Sequence, residues 1–145
     1  MRFMIIVKGT AEYEAGAMPS EAQLARMTDY NESLIKAGVF LDGEGLHPSS
    51  KAARVRFEGD EMRVLDGPFA EAKEIIAGFT LIEVGSREEA LEWLRRWPHG
   101  PDDGTNELEL RQVFTAEDFG AEFTPELQAR EAELRAAAER NAAEG

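Results

Sequence analysis

Two serine-led capping sequences, Ser20-Glu21-Ala22-Gln23 and Ser86-Arg87-Glu88-Glu89, divide the chain. Each places a hydroxyl side chain three residues ahead of a Gln or Glu, the spacing at which cap and third helical residue satisfy each other's backbone N–H groups. Each therefore opens a helix, and each helix is flanked by short β-like runs. Two β-α-β units in one chain leave few architectures open.

The runs between the helices fill in that frame. Residues 3–7 are unbroken apolar and end in Lys8-Gly9, which reads as a strand covered on both faces. Residues 9–18 are loop-like. Leu24, Met27, Leu34 and Ile35 form the apolar stripe of the first helix, which stops at Gly38. Asn31 falls inside this stripe, either as a hydrogen-bonded core amide or as a group facing a pocket. A strand over 39–41 runs into Asp42-Gly43-Glu44-Gly45-Leu46, where two glycines mark a close approach of backbone.

Ala53, Val55 and Phe57 then alternate with Arg54, Arg56 and Glu58, turn at 58–61 and return over 62–65. This is a hairpin with one half-buried face. Period-2 parity puts Asp66 on the side of Met62 and Val64, the apolar side. Residues 75–84 form a longer strand. The second helix carries Ala90, Trp93, Leu94 and Trp97 and ends at Pro98. A Pro/Gly/Asp loop over 98–106 leads to a last strand over 107–114.

This order predicts an α+β domain over 1–120, a ferredoxin-like sandwich with an extra β-hairpin. Residues 121–145 form a separate acidic helical tail. It opens at Thr124-Pro125 and carries Glu126/Arg130 and Glu131/Arg135 pairs. Helices cover one side of such a sheet. The other side is apolar enough to need a cover, and a second copy supplies one, so the expectation is a homodimer built as a dimeric α+β barrel.

With 43% hydrophobic residues among 145, the chain buries a core without disulfides. Sixteen basic against 29 acidic residues give a net charge of -13, which argues against nucleic acid and against a membrane surface as partners. The absence of Cys excludes a disulfide scaffold, a thiolate zinc site, an iron–sulfur cluster and a Cys nucleophile. The apolar run at the N-terminus is too short for a signal-peptide core or a membrane span, so a cytoplasmic location is expected.

Chemistry concentrates in Asp66-Gly67-Pro68-Phe69-Ala70-Glu71-Ala72-Lys73-Glu74, which packs three carboxylates and one ammonium around a Gly-Pro turn. One reading is a loop of solvated charges with Asp66 capping its own backbone. The other holds Asp66 out of water beside Lys73, for acid–base work or anion binding, with Asp66 and Glu71 as candidate catalytic groups. Phe69, Lys73 and Glu74 are candidate ligand contacts from the same segment, joined by Asn31, Glu44, His47 and Arg111 from elsewhere. His47 follows the Gly-Glu-Gly-Leu turn and is either an exposed loop histidine or a proton-transfer group. Arg111 shares a face with Glu107 and Glu109, as a cross-strand ion pair or as a fork for a carboxylate ligand. His47 and His99 have no metal-site spacing, and neither a Gly-rich phosphate loop nor a Ser-centred elbow occurs, so no metal and no cofactor are expected.

The same nine residues resemble the signature of DGPF-type proteins of the YCII-related family. The resemblance continues through Lys36-Ala37-Gly38-Val39, Gly43-Glu44-Gly45-Leu46 with Pro48-Ser49-Ser50, Ile76-Ala77-Gly78-Phe79, the stretch 86–98, and Glu109-Leu110-Arg111-Gln112-Val113-Phe114 with Glu117-Asp118-Phe119. It covers roughly residues 1–125 and implies a ferredoxin-like fold that dimerises as an α+β barrel. The YCII branch implies enzymatic chemistry through a His–Asp pair. Here Met27 and Trp97 stand near those two positions, so the pair does not carry over. Two functions are open, the first motivated by the inward parity of Asp66 beside turn glycines, the second pointed to by the resemblance. One is binding of a small polar metabolite in the barrel with acid–base catalysis. The other is a non-catalytic regulatory or interaction module linked to sigma-factor-associated transcription control.

Overall fold

The computed structural model describes residues 1–145 except for the side chain of Lys73. It divides into two compact units, Met1–Val113 and Phe114–Gly145. The first unit contains β1 (Arg2–Lys8), a short helix α1 (Ala11–Glu14), α2 (Glu21–Lys36) and β2 (Phe40–Gly45). These are followed by β3 (Ala53–Glu58), β4 (Glu61–Asp66), β5 (Ile76–Glu83), α3 (Arg87–Arg95) and β6 (Leu108–Gln112). β1 lies inside a four-stranded sheet of order β2-β5-β1-β6, and every neighbouring pair in it is antiparallel. This is the α+β class that the two β-α-β units predict.

α2 has the full capping box. Ser20 Oγ accepts from Gln23 N, and Gln23 Oε1 accepts from Ser20 N. At its other end Gly38 adopts φ 73°, a conformation that favours glycine. The α3 box is reciprocal only in part: Ser86 Oγ accepts from Glu89 N, but Glu89 Oε2 reaches one residue further back, to Gly85 N. The core forms where Tyr30 and Leu34 of α2 and Ala90 and Trp93 of α3 meet Phe3, Ile5 and Ile82 of the sheet. Each large side chain fully buried here contributes about 1.5–3 kcal/mol.

The stripe of α2 is thus Met27, Tyr30 and Leu34. Leu24 and Ile35, expected on it, are exposed, because they flank the line that points at the sheet. Residues 9–18 are not all loop either: Thr10 Oγ1 caps the N-terminus of α1 by accepting from Tyr13 N. Of the two glycines of β2, Gly43 marks a close approach, a Cβ there meeting the Phe79 carbonyl oxygen at 3.3 Å, while a Cβ on Gly45 would meet nothing within 4 Å; the tightest contact is on the neighbouring strand. A Cβ on Gly78 of β5 would meet the Glu44 carbonyl oxygen at 2.8 Å and the Gly45 Cα at 3.3 Å.

The hairpin departs furthest from expectation. β3 and β4 pair only with each other, as a two-stranded sheet separate from the main one. No described segment of the unit turns their apolar side into a half-buried face: Val55 is 49% and Phe57 74% exposed, with Met62 and Val64 similar. For the same reason Asp66 is exposed rather than held out of water. Parity places it beside Met62 and Val64, but in a free ribbon neither side is an interior.

In the second unit α4 (Pro125–Glu144) is capped by Thr124, whose Oγ1 accepts from Leu127 N. Phe114, Phe119 and Phe123 stack in sequence at 5.0 and 5.5 Å, which starts this unit earlier than the expected 120/121 division. Glu131 and Arg135 form the expected i,i+4 pair, and α4 buries no residue. Among the described residues no helix is long and apolar enough to cross a membrane.

Candidate functional site

The Asp-Gly-Pro-Phe segment is tied down by backbone and hydroxyl contacts rather than by its own carboxylates. Directly after β2, Pro48 leads into a 3-10 turn at Ser49–Lys51, and Ser49 is only 3% exposed. Its hydroxyl donates to Glu14 Oε2 and accepts from the Phe69 N–H at 2.9 Å, while its own N–H donates to Glu14 Oε1 at 2.8 Å. A buried hydroxyl with all its partners satisfied is stable, and losing one partner would leave the others desolvated. Gly67 N donates to the Ala52 carbonyl at 2.8 Å, and the Gly67–Pro68 peptide is cis. A Cβ at Gly67 would sit 1.7 Å from the Ser49 carbonyl oxygen, so only glycine passes here.

α1 braces the same turn from behind. Tyr13 Oη donates to the Leu46 carbonyl at 2.6 Å. Desolvation, and then the neighbouring Glu14 charge, push that phenol above its ordinary range. Tyr13 and Glu14 together fix both ends of the stretch 46–49.

Between these clamped loops opens a cleft of about 440 Å³, whose polar lining includes His47, Ser49, Lys51, Arg54 and Glu74. Phe69 also lines it, and the Arg54 guanidinium lies over the Phe69 ring, 3.8 Å from its centroid. The volume falls in the range of small-molecule sites, and the arrangement is a loop pair positioned by a rigid sheet.

Of the residues expected at a site, the cleft collects His47, Phe69 and Glu74. Asp66 and Glu71 are exposed and do not line it, and Glu44 is exposed on the edge strand β2. Asn31 lies on α2, with its Oδ1 closed off from water and without a hydrogen-bond partner. Arg111 donates to Glu109 Oε2 at 3.0 Å, an ion pair within β6 rather than the expected cross-strand one. That contact first, and then the Lys8 charge, hold the Glu109 carboxyl below its usual range. The expectation for Lys73 lies outside the described residues.

Sequence reasoning did not single out Tyr13, Glu14, Ser49, Lys51 or Arg54. One signal was available: residues 46–57 carry three cations and no acid, in a chain with 29 acidic residues. Among the described residues no group of three or more His, Asp and Glu side chains converges to hold a metal ion.

A second cavity of about 500 Å³ lies between the 98–106 loop and the start of α2, with Met27 in its wall. One of its carboxylates, Asp103, is already occupied. It accepts from Gln23 Nε2, Gly100 N and Arg26 Nη2 at 2.6–3.2 Å, and the Gln23 amide foremost holds its carboxyl below the usual range. That carboxylate anchors a loop, so the clamped cleft is the stronger candidate.

Compared with known proteins, residues 1–115 match the YCII-related domain. An uncharacterized protein, R00369, of Rhizobium meliloti (strain 1021) is 39% identical over 75 residues. That stretch is 51% of this chain and 60% of the relative, so the chain spans less than two thirds of that relative's length.

Proposed function

The chain belongs to the YCII-related family, and from that premise we propose that it is a homodimeric small-molecule-binding protein of the DGPF subgroup whose ligand, a small polar metabolite, sits in the cleft between the Pro48-Ser49-Ser50 turn and the Asp-Gly-Pro-Phe segment. One observation carries this reading: the Ser49 hub, in which one buried hydroxyl joins α1, the turn and the Phe69 backbone around an open 440 Å³ cleft. A backbone held so closely beside an unfilled hollow is what preorganised binding requires.

The strand order β2-β5-β1-β6, with α2 and α3 on one face, supports the ferredoxin-like sandwich and leaves an apolar strip on the other. By register and parity that strip is the half-buried Met4, Phe79 and Leu81 around an already buried Ile6, and a second copy docks over them in the barrel arrangement. Asp66 and Glu71 stand outside the cleft, so binding, not acid–base catalysis, is the part of the reading that the geometry supports.

The test is a thermal-shift screen of the full chain against polar metabolites, with hits mapped by amide NMR. A ligand at a hundredfold excess over its Kd adds about 2.7 kcal/mol of stability. Its amide shifts are expected at 46–54, Phe69 and 74–76. Hits that map to the 98–106 cavity, or no hit at all, would sink the reading.

A further inference from the structure

We propose that the cleft is an oxyanion receptor, with Lys51 and Arg54 as its cationic contacts, and that its ligands are small organic carboxylates or phosphates with an apolar body. This inference rests on the cleft being the ligand site, and it names the ligand's chemical class.

Three observations converge. The first is charge. The chain has a net charge of -13, yet Leu46 to Phe57 contains Lys51, Arg54 and Arg56 without one Asp or Glu. An oxyanion approaching most of this protein meets like charge, so a local cationic wall is a selective place for it to settle.

The second is that, among the described residues, neither Lys51 nor Arg54 forms an ion pair; the pairs there use Lys8, Arg26, Lys36, Arg95, Arg111 and Arg135. Asp66, the register partner of Ala53, is exposed and does not line the cleft, which leaves two further carboxylates beside it. Glu14 has both oxygens engaged by Ser49 behind the wall. Glu74 lines the cleft without an ion pair, and it suits a hydrogen-bond donor on the ligand distal to the anionic head.

The third is orientation. The Arg54 guanidinium carbon lies over the Phe69 ring, 3.8 Å from its centroid. That contact limits the rotamers of Arg54, while its N–H groups can serve as a fork for a planar carboxylate or a phosphate. The Phe69 N–H is in turn fixed by Ser49. The Ser49 hub therefore sets where the ring lies, and the ring sets where the guanidinium lies. His47 adds a ring N–H, and Leu46, Ile75 and Ile76 line the rest with apolar surface, which sets the demand for an apolar body.

The experiment uses the full-length, isotope-labelled chain with three probes of one shape: benzoate, phenyl phosphate and neutral benzamide. The expected result is that benzoate, phenyl phosphate or both shift the amides of 46–54, Phe69 and 75–76, while benzamide does not. The arm that binds more tightly identifies the carboxylate or the phosphate class. Lys51→Gln and Arg54→Gln should each weaken that anion about tenfold or more, the scale of one charge-assisted contact. Arg87→Gln, an exposed cation of α3 outside the cleft, should leave it unchanged. Arg54→Lys, which keeps the charge but not the planar fork, should fall between.

Equal binding of benzamide and benzoate would overturn the proposal, as would an Arg54→Gln protein of undiminished affinity whose amide spectrum outside the hairpin matches the parent. Silence of the cleft amides towards both anions would overturn it too. A neutral metabolite that maps to the same amides and ignores Arg54→Gln would refute the oxyanion assignment while leaving the cleft as the ligand site. The cleft itself falls only if the metabolite screen also leaves those amides unmoved.

Discussion

At the scale of single residues, Gly67 is the most tightly enclosed glycine of the chain. The Ser49 carbonyl occupies the space that a side chain would need. A methyl group at Gly67 can be accommodated only by moving the Ser49 turn, which is held by Glu14 on one side and Phe69 on the other. Gly67→Ala is therefore expected to destabilise the chain by about 1–3 kcal/mol, as overpacking does in tight sites. Gly59→Ala, in the exposed hairpin turn, strains only a positive φ and meets no atom within 4 Å. It should cost about 1 kcal/mol. Urea denaturation of both variants tests the ordering. A Gly67→Ala protein as stable as its parent would mean that the turn is loose, and the cleft not preorganised.

At the scale of elements, the contact between α2 and α3 carries its own titration. Tyr30 is 5% exposed and packs edge-on against Trp93 and Trp97, at 6.4 and 5.3 Å. Its hydroxyl donates to the Trp93 carbonyl at 2.8 Å. Burial pushes this phenol from 10.0 up to about 12, against a lesser opposing pull from Arg96. The phenol is neutral when protonated. Between pH 10 and 12 the unfolded chain has released a proton that the folded one still holds, so stability is intact below pH 10 and falls as pH rises towards 12. The loss is about 2–3 kcal/mol from this one group. Tyr30→Phe is expected to flatten that alkaline limb. At neutral pH it should cost about 1 kcal/mol, because the Trp93 carbonyl loses its donor. Stability curves of parent and variant against pH, with phenolate absorbance recorded alongside, give the comparison; parallel curves above pH 10 would refute the assignment.

Legibility in the sequence follows the same division. Helices announced by Ser20 and Ser86 and strands with continuous apolar runs were readable, because capping and burial are local or periodic signals. The burial state of the hairpin was not. Alternation in Ala53–Glu58 specifies two different faces, but whether either face is covered depends on what the ribbon packs against, and within this unit it pairs only with itself. Asp66 inherited that error. Tyr13 and Glu14 were unreadable as braces because their partners, Leu46 and Ser49, lie more than thirty residues away. Phe69 and Glu74 were readable together because they sit in one turn-rich motif, whereas His47 stood out only as a histidine after the Gly-Glu-Gly-Leu turn.

At the scale of the whole molecule, the proposed dimer has to overcome its own charge. Each 16.1 kDa copy carries a net charge of -13, so two copies repel before any apolar strip meets. Half-buried Met4, Phe79 and Leu81 around the buried Ile6 supply a neutral, apolar interface on that face of the sheet, where Arg2, Asp42, Glu44, Glu83, Glu109 and Arg111 sit at the margins. An association driven by apolar contact against like charge should strengthen with added salt, because screening shortens the repulsion to about 8 Å at physiological ionic strength and leaves the hydrophobic term nearly untouched. A dimer held by ion pairs would weaken instead. Sedimentation equilibrium across a salt series is expected to show a particle of twice the chain mass whose dissociation constant falls as salt rises. Leu81→Lys, which buries an unpaired charge at the centre of the strip, should return it to a single-chain mass. Leu24→Lys, on the exposed flank of α2, should not. A chain that sediments singly at every salt concentration would remove the barrel, and with it the second copy as the cover for the open sheet face.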